Sequence, residues 1–186
     1  MKRDTVQQIA RDLHSAKALM DAVAIRLKQQ DWFAQNWLVD VHFFPPLPQA
    51  ESVTVHVFRP HWFNESGQGI HFETQFGAKQ WLACEVPVML HVFHSATIPG
   101  TKIKRIAVTK PLVDGIYDMV ASWPGYSFRV GRYGAQSFST TLKMTADSAS
   151  TDSQEEQFQA MVTAEISRLC LALGPAIDTA LAQALD

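Results

Sequence analysis

Residues 69–94 read GIHFETQFGAKQWLACEVPVMLHVFH, and their alternation decides the fold. In the first half Ile70, Phe72, Thr74 and Phe76 fall on one side, while His71, Glu73 and Gln75 fall on the other. In the second half Val86, Val88, Leu90 and Val92 share a face, and Pro87, Met89, His91 and Phe93 share the opposite one. A period of two sends successive side chains to opposite faces of a strand. The stretch therefore predicts two β-strands joined by a short connection, with one face on a core and the other rich in histidine and acid.

The same pattern extends upstream. Residues 37–44 set Val39, Val41 and Phe43 against Leu38, Asp40, His42 and Phe44, and end at Pro45-Pro46-Leu47-Pro48. Residues 52–58 set Val53, Val55 and Val57 against Thr54, His56 and Phe58, and end at Arg59-Pro60. Proline has no N–H to give a ladder, so it terminates both. Residues 64–69 carry turn chemistry. Four strands in succession with short links predict an antiparallel meander. Downstream, residues 126–130 and 137–144 read as two further strands, linked through Gly131 and Gly134.

Helices flank these strands. Val6, Ile9, Leu13, Ala16, Met20, Val23 and Leu27 recur at spacings of three and four, predicting a long helix over residues 4–29. Its narrow stripe suits packing on the sheet or on the C-terminal helix, with a homodimer seam as the alternative. Thr109 is placed to cap a helix over residues 110–122, with Pro111 in the first turn. After the small polar run 145–153, Asp152 and Glu155 have capping-box spacing before a stripe of Phe158, Val162, Ile166, Leu169 and Leu173. Gly174-Pro175 is expected to break or sharply kink that helix, leaving a last one over 175–185 with Ile177, Leu181 and Leu185. The predicted class is α+β: an antiparallel sheet, made of a four-strand meander plus two later strands, with long N- and C-terminal helices packed on one face. Residues 1–186 are expected to form a single domain.

Composition narrows the function classes. Net charge is −2, with 47% hydrophobic and 18% charged residues, an ordinary globular balance. The C-terminal forty residues are acidic and the middle mildly basic, so nucleic acid is not an expected partner. The basic group Lys102, Lys104 and Arg105, joined by Arg129, Arg132 and Lys143, would have to supply any phosphate contacts and reads as a solvated rim. Cys84 and Cys170 are too few for a disulfide framework and read as buried thiols. No secretory pattern opens the chain and no apolar run approaches a bilayer span, so a cytoplasmic setting without a membrane is expected.

The far face of the sheet carries the chemistry. Asp40 and His42, His56, His71 with Glu73, and His91 come from four successive strands. Cross-strand neighbours on one face lie about 5 Å apart, the spacing a metal site or an acid–base site needs. The bland expectation is a solvated or helix-covered polar face, on which alanine at His71 or His91 would barely alter stability. Phe44, Phe58 and Phe93 on the same face would form an apolar patch unless residues 60–69 or a partner cover it.

Two functions follow. The first is a non-enzymatic binding module that holds a protein segment or small ligand, without a cofactor, on a face made of Asp40, His42, His56, Phe58, His71, Glu73, His91 and Phe93. The second is a metal-dependent hydrolase or nuclease with a divalent transition metal on His56, His71, Glu73 and His91. Asp40 followed by Glu73-Thr74-Gln75 is similar in part to the acidic strand pattern of metal-dependent nucleases, although Gln75 stands where their lysine would. Nucleophile elbows, phosphate-cradling glycine loops and paired-cysteine zinc spacings are absent.

Overall fold

The computed structural model describes residues 13–128, 132–144 and 151–186. In chain order the elements are helix α1 (Leu13–Lys28), strands β1 (Leu38–Phe44), β2 (Ser52–Phe58) and β3 (Ile70–Gly77), helix α2 (Ala78–Ala83), strand β4 (Glu85–Val92), helix α3 (Ile106–Ala121), strands β5 (Ser127–Phe128) and β6 (Gln136–Lys143), and helix α4 (Thr151–Leu185). All six strands join one antiparallel sheet in the order β1-β2-β3-β4-β6-β5. The α+β class and the meander are as the alternation predicts.

Register puts the two side-chain sets on opposite faces. Val55 lies opposite Val41 and Thr74, and Val57 opposite Val39 and Phe72. Those residues, with Val86, Val88, Leu90 and Phe138, face the helices, and most are buried without exposure. Thr74 sits among them because its hydroxyl donates to the Pro87 carbonyl at 2.9 Å. The α1 stripe of Ala16, Met20, Val23 and Leu27 is buried within the chain against the sheet and α4. The α4 stripe of Phe158, Val162, Ile166, Leu169 and Leu173 is equally buried, with Phe158 against Phe76 at 4.7 Å between ring centroids.

The short connection between β3 and β4 is a helical turn, α2. Two expectations need correction. Helix α3 begins at Ile106, so Thr109 is no cap; its hydroxyl points inward and donates to the Tyr133 carbonyl at 2.8 Å. Most instructive is α4, which runs unbroken through Gly174-Pro175 for 35 residues. A proline inside a helix costs roughly 3 kcal/mol, so something local offsets it. A Cβ on Gly174 would come within 3.1–3.2 Å of the Trp37 ring, so glycine lets that indole lie against the helix. Trp37 meets Trp32 at 5.4 Å and Trp62 at 5.2 Å, and Arg59 stacks over it at 4.6 Å. Three residues past the proline, Asp178 accepts hydrogen bonds from Arg59, His61 and Trp62. Because the helix is continuous, it is long and apolar enough to cross a membrane by length and composition, although its buried stripe belongs to the core. Residues 4–12, Arg129, Gly131 and the run 145–150 lie outside the described residues.

Candidate metal centre

The far face was expected to be solvated or covered by a helix; at its centre the histidines are buried, while Asp40 stays exposed. His71 is 0% exposed, His91 5% and His56 6%. Register brings them together: Asp40 pairs with His56, His56 with Glu73, and His71 with His91. The imidazoles form a row across the sheet. His42 meets His56 edge-on at 4.6 Å, His56 stacks on His71 at 3.9 Å, and His71 lies 5.0 Å from His91. Sequence reasoning missed a fifth member, His94, whose ring is 4.8 Å from that of His91.

Glu73 sits under this row. Its Oε2 lies 3.4 Å from Nε2 of His71, 3.4 Å from Nε2 of His91 and 3.7 Å from Nε2 of His56. Burial alone would raise its pKa. The imidazoles of His56, His71 and His91 around it outweigh burial and hold the carboxyl well below its ordinary range, so it is ionised.

The proton on His71 is fixed by its other neighbour. The Asn64 side-chain oxygen accepts the Gly69 backbone N–H at 2.9 Å and faces His71 Nδ1 at 3.0 Å. A backbone N–H can only donate, which identifies that Asn64 atom as the carbonyl oxygen. A carbonyl oxygen only accepts, so His71 Nδ1 must carry the hydrogen. The close fit is built by the chain: a Cβ on Gly69 would lie 2.2 Å from the Phe63 carbonyl oxygen, so only glycine passes there. In neutral His71 the Nε2 lone pair is then bare. That atom is buried and has no hydrogen-bond partner. Burial first, then the neighbouring imidazoles, depress the His71 pKa to about 3, so the ring is neutral around pH 7. An imidazole lone pair and an ionised carboxylate therefore face each other at 3.4 Å with no hydrogen between them.

A cation between those atoms would resolve the conflict. His56, His71 and Glu73 offer three ligand atoms within 4.8 Å of one another. Two imidazoles and a carboxylate are donors that zinc and non-haem iron accept. Asn64 on the far nitrogen of His71 is the outer partner that orients a ligating histidine. His91 can complete the set once it leaves Gln136, whose amide nitrogen lies 2.9 Å from His91 Nε2.

The remaining predicted residues are placed around this centre. Asp40 and His42 are paired, Oδ2 to Nδ1 at 2.9 Å, and with Phe58, Asn64, Glu65, Ser66 and Gly67 they line an open cleft of about 460 Å³. The segment 60–69 covers the face only in part, because Trp62 turns to the helix side against Phe72. Phe93 does not join an exposed face: it is fully buried against Phe63. Phe44 is 52% exposed at the end of β1. Of the basic group, Arg105 is spent on backbone carbonyls and Arg132 on Asp114 and Tyr133. Cys84 is half-buried and Cys170 buried, and both are free thiols.

No family model matches this chain, and neither a curated protein nor a solved structure matches it.

Proposed function

We propose that the protein binds a divalent transition metal, zinc first, on the sheet face through His56, His71 and Glu73, with His91 as a fourth ligand. The observation that carries this reading is the bare, buried Nε2 of His71 facing the Glu73 carboxylate. A protein with no use for a cation there would gain by placing a donor opposite that lone pair, since a buried unsatisfied polar atom costs about 1–3 kcal/mol. The cleft beside the site, holding the Asp40–His42 pair, has the size of a small-molecule pocket. The chemistry such a metal supplies is the polarisation of a bound water or carbonyl, the basis of metal-dependent hydrolysis. The test is zinc titration of chelator-treated protein by calorimetry, with elemental analysis of the protein as purified. One zinc per chain, lost in His71→Ala, supports the reading. Absence of binding to zinc, iron(II) and manganese(II) alike removes it.

A second reading, capture of a protein segment, is favoured by β1. This strand is an end of the sheet and carries Leu38 and Phe44 at 44% and 52% exposure. An open strand edge can accept an added strand. Proline placed at Val41 on that edge would abolish such capture without touching the metal ligands, and undiminished capture would exclude the edge.

A further inference from the structure

The histidine row continues past the carboxylate towards solvent. His71, His91 and His94 form a second group whose ligand atoms lie within 4.8 Å of one another, and His94 is exposed. His91 is turned both ways. Its Nε2 faces Glu73 at 3.4 Å and its Nδ1 faces His94 Nε2 at 3.0 Å. Two nitrogens bound tetrahedrally to one zinc, with bonds of about 2.0–2.1 Å, sit about 3.3 Å apart, so the His91–His94 pair is nearly at ligand spacing.

The backbone builds this arrangement at some cost. Phe93 has φ of 50°, a left-handed conformation that is uncommon for a bulky residue and costs about 1–3 kcal/mol. The turn takes the chain out of β4, so that His94 lies back beside His91 instead of running on along the strand. Arg105 fastens it: one guanidinium nitrogen donates to the carbonyls of Phe93, His94 and Ser95 at 2.9, 3.3 and 3.1 Å. The inner ligands are enclosed, whereas His94 reaches water.

We infer that His91 and His94 form an outer station through which a divalent transition metal passes to and from the inner group of His56, His71 and Glu73. This rests on the metal-binding reading above. Because His71 belongs to both groups, they hold one ion in turn. A station on the path lowers the barrier in both directions. It therefore speeds uptake and release by the same factor and leaves the equilibrium affinity unchanged.

The experiment is stopped-flow zinc exchange between the whole chain and a chromophoric chelator, run on wild type, His94→Ala and, as an exposed histidine outside both ligand groups, His61→Ala. Zinc affinity and stoichiometry are measured on the same preparations. His94→Ala is expected to slow both uptake and release about tenfold or more while the affinity stays within about threefold, a change confined to rates. His61→Ala should exchange like wild type. Unchanged rates in His94→Ala would overturn the inference. So would an affinity loss matching the fall in uptake, which would make His94 a resident ligand, or two zinc ions per chain in wild type. If wild type binds no metal at equilibrium, the metal-binding reading itself fails, an outcome visible before any rate is measured.

Discussion

Two carboxylates in this molecule are each surrounded by nitrogen-bearing side chains, and they differ in one respect. Asp178 on α4 meets the Arg59 guanidinium, the Trp62 indole nitrogen at 2.7 Å and His61 Nε2 at 2.8 Å. Guanidinium and indole nitrogens always carry hydrogen, so this acid is satisfied and ties α4 to the turn after β2. Glu73 meets three imidazole nitrogens at 3.4–3.7 Å, and on His71 the hydrogen is held on the opposite side by Asn64. The first cluster closes on itself. The second leaves a place for a positive charge. Proximity of histidine to acid is thus uninformative until the position of each proton is argued.

Metal affinity should separate the clusters most widely. His71→Ala or Glu73→Gln is expected to weaken zinc binding by more than about a hundredfold, beyond what an outer partner commonly contributes. Asp178→Asn should leave affinity within about threefold. Equal losses in both clusters, read by calorimetric titration, would erase the distinction. A smaller effect sharpens it. Asn64→Ala removes the acceptor that holds His71 in its ligating tautomer, and affinity should fall about ten- to a hundredfold while the ligands remain. An unchanged affinity would mean that the tautomer is set elsewhere.

The stability of metal-free protein gives a contrast in sign. In Glu73→Gln the new amide can donate to the bare His71 Nε2, so the variant should gain about 1 kcal/mol in urea unfolding. The same isosteric change at Asp178 turns a donor towards other donors and should cost about 1–3 kcal/mol, at the lower end because the pair is partly open to water. Both shifts having one sign would sink the comparison.

How far each feature can be read from sequence follows the same division. The sheet, its faces and the buried stripes of α1 and α4 are legible because period two and period three-to-four reflect burial directly, as at Val53, Val55 and Val57. The gathering of His56, His71, Glu73 and His91 is legible in outline, since meander order makes them neighbours. Their enclosure is not, because it depends on Asn64 and Gly67 folding over from a turn with no periodic signal. His94 is hidden by its spacing: three residues beyond His91, it falls on the opposite strand face until left-handed Phe93 redirects it. Gly174-Pro175 misleads because its glycine answers to Trp37, 137 positions away in the chain, and only packing reveals that partner.

The smallest effect concerns a third carboxylate, Glu165, which lies on the satisfied side of the divide. It accepts the Tyr126 hydroxyl and is held by Arg168, whose Nη2 is 2.6 Å away. Burial, then the hydrogen bond and charge of Glu165, push the Tyr126 phenol well above its ordinary value of 10. The folded state therefore keeps a proton that the unfolded chain releases above about pH 10. Stability from this pair is complete below that pH and is lost as pH rises towards the folded pKa. Wild type should exceed Tyr126→Phe by about 1 kcal/mol at neutral pH, and the difference should shrink and then reverse above pH 10. Urea unfolding of the two proteins at pH 7 and pH 10.5 checks this. A difference that stays constant across that range would show that the hydroxyl proton is not held by Glu165, and Arg168 alone would then satisfy the third carboxylate.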